Sequence, residues 1–61
     1  MLTPREQEVV ENLADGISNK VIARRMGITE RTVKAHMTAI FEKTGTVNRM
    51  EVIIKHINGE L

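Results

Sequence analysis

Cysteine, tryptophan and tyrosine are absent from this chain, and Phe41 is its one aromatic residue. Without cysteine there is neither a disulfide nor a thiolate metal site to staple the fold. Proline occurs once, at position 4, where it opens a helix rather than breaking one. No apolar run approaches the ~20 residues of a membrane span, and no signal-peptide pattern opens the chain. Period-two alternation is missing, as are repeats and low-complexity segments, so no strand is expected. These absences leave a cytoplasmic chain with no membrane contact, and its 61 residues suffice for one domain, 1–61. A domain of this size buries only about 60% of its unfolded surface, so aliphatic side chains must supply the core. Met1, directly before a helix start, reads as a boundary cut from a larger protein.

The net charge of +1 conceals an uneven distribution. In residues 1–17 Arg5 stands against Glu6, Glu8, Glu11 and Asp15, a net −3. In residues 18–49 Lys20, Arg24, Arg25, Arg31, Lys34, Lys43 and Arg49 stand against Glu30 and Glu42, a net +5. The last twelve residues are net −1. A basic middle between acidic ends points to an anionic partner for the middle.

The pattern predicts an all-α, compact four-helix domain containing a helix-turn-helix. "TPRE" opens the first helix as a capping box, with Thr3 and Glu6 each accepting from the other's amide. Val9, Val10, Leu13 and Ala14 form its buried stripe, and Gly16 ends it. Ser18 caps the second helix, where Ile22, Ala23 and Met26 face inward and Gly27 stops the helix. Thr29 caps the third, which runs to Lys43 or Thr44 before Gly45. The fourth starts near Asn48 and ends at Gly59. On it Met50, Ile53, Ile54, Ile57 and Leu61 fall within about 100° of one another and are expected to face the core, with Val52 nearly opposite and Lys55 and His56 on either side.

Ala23, Gly27 and Ile28 mark a steep helix corner: a small residue permits close approach, glycine reverses the chain, and an apolar residue plugs the turn. This is a helix-turn-helix pattern over residues 18–26 and 29–43. Rotation then sorts the third helix. With Val33 at zero, Met37, Ile40 and Thr44 fall within about 40° and Phe41 at about 80°, the core face. Arg31, Ala35, Thr38 and Glu42 fall at about 140–200°, with Lys34 beside them and His36 on the opposite flank. The face left exposed therefore opens with Arg31, Lys34, Ala35 and Thr38 and turns acidic only at Glu42.

That face suits double-stranded DNA. Arginine and lysine donate to guanine O6 and N7, and alanine and the threonine methyl meet a thymine methyl. Arg31, Lys34, Ala35 and Thr38 are thus the expected base readers. Asn19 and Lys20, in the first turn of the second helix, suit a phosphate, aided by the helix dipole. Thr29 at the start of the third helix and His36 on its flank are further expected phosphate contacts. The lack of exposed aromatics argues against single-stranded nucleic acid, which is usually held by stacking. His36 and His56 lie on different helices with no acidic or cysteine partner at ligand spacing, so no metal site is expected. Ser18 has no base near it and is a cap, not a nucleophile. No enzyme and no cofactor are expected. The rival reading is a helical contact module for another protein such as RNA polymerase. Salt separates the two, since only DNA binding weakens steeply by counterion release.

The stretch "LTPREQEVVENLADGISNKVIARRMGITERTVKAHMTAIFEK", with "NRMEVI" after it, resembles the LuxR-type helix-turn-helix domain, the output domain of NarL/FixJ response regulators and quorum-sensing regulators. The resemblance covers essentially the whole chain. It implies a four-helix, DNA-binding domain of a transcription regulator, in a two-component system or a related one, with the third helix in the major groove. It places base reading on Lys34, Ala35 and Thr38 and phosphate contacts near Lys20, Thr32 and Lys43. It also implies a dimer through the fourth helix. Here that is expected to be weak, with Val52, Lys55 and His56 at the contact. The chain departs from the pattern at Val21, where glutamate is common, at Thr44, where leucine is usual, and at Val52, where alanine is usual. Thr44 is accordingly expected to be a weak point of the core that leucine would strengthen, although its hydroxyl can bond back to the Ile40 carbonyl.

Overall fold

A computed structural model describes all of residues 1–61. Four helices follow one another: α1 (Pro4–Ala14), α2 (Asn19–Met26), α3 (Glu30–Thr44) and α4 (Arg49–Ile57). Each starts where a side-chain oxygen meets an amide that has no partner within the helix. Thr3 Oγ1 accepts from the Glu6 amide at 3.1 Å while Glu6 Oε1 accepts from the Thr3 amide at 2.9 Å, closing the capping box. Ser18, Thr29 and Asn48 accept from Val21, Thr32 and Glu51. The middle helices end on a left-handed glycine. Gly27 has φ +68°, and beyond it the Ile28 amide donates to the Ala23 carbonyl at 2.9 Å. Gly45 repeats the arrangement, with Thr46 donating to Phe41. Ile28 and Phe41 then pack half-buried against the core.

The α2–α3 pair is a helix-turn-helix, and α1 lies across α3 and α4 to close the bundle. Val9, Val10 and Leu13 of α1 meet Ile22 and Ala23 of α2, Val33, Met37 and Ile40 of α3, and Val52 of α4 in one apolar core. Two polar ties reinforce the closure. Arg5 Nη2 donates to the Met26 carbonyl at the end of α2 (3.1 Å), and Lys43 Nζ near the end of α3 donates to Glu6 Oε1 (2.8 Å).

Two expectations about burial are corrected. Ala14 is exposed, because it lies about 100° around α1 from the buried Leu13, at the edge of the stripe. More consequentially, α4 is turned the other way round. Val52, expected outside, is fully buried, whereas Met50, Ile54, Ile57 and Leu61 stand 60%, 50%, 71% and 39% exposed. Only Ile53 of the expected stripe packs on the core, and it is half-buried. Arg49 supplies a physical reason. It lies about 60° from Val52 around the helix, and its guanidinium bonds to the Ile17 carbonyl and the Asn19 side chain. This polar anchor holds α4 with Val52 inward. A buried valine offers no surface to a second copy, so the association contact assigned to it does not stand.

Candidate nucleic-acid interface

The left-handed turn at Gly27 sends α3 away from α2 with Val33, Met37 and Ile40 buried, and this packing fixes what the opposite face presents. Arg31, Lys34, Ala35 and Thr38 are all exposed there. Neither Arg31 nor Lys34 has a carboxylate within ion-pair distance: the three ion pairs of the chain are Arg5–Glu8, Arg25–Asp15 and Lys43–Glu6. The Thr38 hydroxyl donates to the Lys34 carbonyl at 3.2 Å, which leaves its lone pairs and methyl for an incoming group. Donors at Arg31 and Lys34, an acceptor at Thr38 and small apolar groups at Ala35 and Thr38 match the range of chemistry on base edges.

The start of α2 borders this face. Lys20 is exposed without an acidic partner, and no acidic residue occupies the first turn of α2, so its free amides remain a positive end. Asn19, Lys34, Thr38 and Arg49 line one shallow groove, floored by Met37 and Phe41, with a volume of about 320 Å³. The structure thus brings together Asn19 of α2 and two expected readers of α3. Arg49, from α4, is a member of the groove that sequence reasoning missed. Its bonds reach back 30 and 32 residues, and no local pattern signals such a contact.

The other expected residues are scattered. Thr29 and Thr32 sit at the start of α3 with their hydroxyls 3.0 Å apart, the first also serving as cap. His36 is half-buried on the flank of α3. Lys43 is held by Glu6 on the side of α1 and lines a different cavity with Leu2, Gln7 and Lys55. That engagement sets it apart from the groove. Lys55 and His56 are half-buried, His56 on the Val52 side of α4. Glu6, which holds Lys43, has its carboxyl lowered below the ordinary 4.5, first by the Lys43 hydrogen bond and then by the Thr3 amide. No three His, Cys, Asp or Glu side chains come together as a metal site would require.

Residues 1–56 match the family model described as bacterial regulatory proteins, luxR family. Curated relatives agree. The chain is 47% identical over 53 residues to the monoamine regulon transcriptional regulator of Klebsiella aerogenes, covering 87% of this chain and 23% of that protein. It is 43% identical over 53 residues to the nitrate/nitrite response regulator protein NarL of Escherichia coli K12, covering 87% and 24%. It is 40% identical over 57 residues to the probable transcriptional regulatory protein SgaR of Hyphomicrobium methylovorum, covering 93% and 27%. The chain spans about a quarter of the length of these relatives.

Proposed function

Since the chain belongs to the luxR family of bacterial regulatory proteins, we propose that this DNA-binding domain of a transcription regulator lays α3 in the major groove of double-stranded DNA and works as a dimer on paired half-sites. The observation that carries the reading is the exposed, unpaired row Arg31, Lys34, Ala35 and Thr38 beside the positive start of α2. In this reading the α3 row reads base edges, while Asn19, Lys20, Thr29 and Thr32 meet phosphates, with His36 at the edge of the same track. Lys43 is a phosphate contact only if DNA draws it from Glu6.

The dimer uses α4. Met50, Ile54 and Ile57 form an exposed apolar stripe along α4. A two-fold partner would set this stripe against its own copy. Lys55 flanks it. The area is small for a stable contact, so association is weak in free solution and completed on DNA. The likeness to a nitrate/nitrite response regulator supports a role as the output domain of a two-component response regulator.

Base-preference profiling tests the assignment of readers. Lys34→Ala should lose about 1–3 kcal/mol of specific binding and relax preference at one position. Lys20→Ala should weaken all sequences alike and flatten the salt slope by about 1. An unchanged profile in Lys34→Ala would remove Lys34 from the readers. A salt-insensitive complex with RNA polymerase, with none on DNA, would replace the reading.

A further inference from the structure

Arg49 is the member of the groove whose donors reach across to the start of α2. It comes from the first turn of α4, is half-buried, and has no carboxylate within ion-pair distance. Its Nη1 donates to Asn19 Oδ1 at 3.1 Å and its Nη2 to the Ile17 carbonyl. These bonds straddle Ser18, the cap of α2, so a single guanidinium grips the joint where the chain enters that helix.

A guanidinium has five donors and no acceptor. The atom of the Asn19 carboxamide that faces it is therefore the oxygen, and the orientation of this amide, ambiguous for many asparagines, is chemically determined. The oxygen is engaged, and the Asn19 amide nitrogen has no partner within the chain. An asparagine free to rotate at this place would have to be turned and held before its nitrogen could donate to an anion. Held by Arg49, it presents only donors. Its neighbours in the groove, Lys34 and Thr38, are on the reading face of α3, and Lys20 follows it on α2.

We propose that Arg49 is a positioning residue for DNA-backbone binding: it holds Asn19 by its oxygen so that the amide NH2 donates to a phosphate, registering the start of α2 against the DNA while α3 reads the bases. The inference rests on the DNA-binding reading above. Arg49 itself does not touch the phosphate, and the contact it sets up is neutral.

Affinity for one specific and one unrelated duplex, measured over a salt series, tests this in the parent, Asn19→Ala, Arg49→Ala, Arg49→Lys and the Asn19→Ala/Arg49→Ala double variant. Each alanine variant should weaken binding to both duplexes by about tenfold, the scale of a hydrogen bond to a charged group. The double variant should bind as either single one does, because both remove the same contact. The salt slope should stay that of the parent, since no cation leaves a phosphate. Arg49→Lys, which keeps a donor for Asn19, should recover most of the loss. Additive losses with a slope flatter by about 1 would make Arg49 a direct phosphate contact and overturn the proposal. A lower melting temperature with parental affinity in folded Arg49→Ala would reduce it to a structural tie and overturn it equally. If Arg49→Ala does not fold, the parent decides by NMR. The Asn19 side-chain NH2 signals should shift on adding duplex, and unmoved signals overturn the proposal. A parent that binds no duplex at all defeats the functional reading itself, whereas a binding parent with an unaffected Asn19→Ala defeats only this inference.

Discussion

Glu6 is charged although only 5% exposed, and its two partners explain why. The Lys43 ammonium and the Thr3 amide both donate to Oε1, and together they outweigh the burial that would raise its pKa. A carboxyl lowered in the folded state adds stability that is complete above its unfolded value, near 4.5, and is lost as pH falls through the lowered folded value. Urea unfolding across an acid pH series should therefore show Glu6→Gln less stable than the parent at neutral pH and flatter below pH 4.5. Parallel curves would assign the acid sensitivity elsewhere. Thr44 teaches the opposite lesson about polar groups near a core. Its hydroxyl donates to the Ile40 carbonyl at 2.7 Å, so in the 2.9 Å bond between Thr44 and Thr46 the donor is Thr46. Thr46 is buried, and Thr44 is its side-chain partner. Leucine at 44 would gain about 0.8 kcal/mol per buried methylene but would leave the Thr46 hydroxyl unpaired, a loss of about 1–3 kcal/mol. Thr44→Leu should thus melt lower than the parent, reversing the expectation drawn from the stripe alone; a higher melting temperature would mean that Thr46 finds another partner.

Among the elements α4 separates what a sequence discloses from what it conceals. Helix limits were legible, because caps are local: Thr3, Ser18, Thr29 and Asn48 each act on an amide three residues on, and Gly27 and Gly45 act where they stand. The inward face of α3 was legible too, since a helix of 15 residues shows its period over several turns. The orientation of the nine-residue α4 was not. Periodicity finds the more apolar face without saying whether it meets its own core or stays outside, and Arg49, which sets the rotation, acts over 30 residues. The same distance hid Arg49 from the candidate site, while Lys34 and Thr38 could be placed by rotation alone. Opposite outcomes follow on the two faces. Val52→Ala should destabilise by about 2 kcal/mol through the cavity it leaves, as read by thermal unfolding. Ile54→Glu, at a half-exposed position, should keep stability within about 0.5 kcal/mol and single half-site affinity intact, yet abolish cooperative occupation of paired half-sites. Cooperativity that survives Ile54→Glu would take the dimer contact away from this stripe.

For the molecule as a whole, α1 and its cap sort the charges. All three ion pairs use an acid of this segment, and two of them draw in cations from α2 and α3, Arg25 and Lys43. Lys20, Arg24, Arg31, Lys34, Arg49 and Lys55 are left unpaired, and Lys20, Arg31 and Lys34 give a chain of net charge +1 a cationic side at the starts of α2 and α3. Binding to duplex DNA should accordingly weaken at least about tenfold between 50 and 200 mM salt, as release of two or more counterions requires. An affinity indifferent to salt in a filter or anisotropy assay would rule out a phosphate-driven complex. The closing of α1 over α4 also brings Met1 and Leu2 to the same cavity as Glu60 and Leu61, apart from the groove that holds Lys34 and Thr38. Residues 1 and 61 are thus near neighbours, away from that groove. A short peptide joining them into a ring would restrict the unfolded chain far more than the folded one, and would leave the groove of Lys34 and Thr38 untouched.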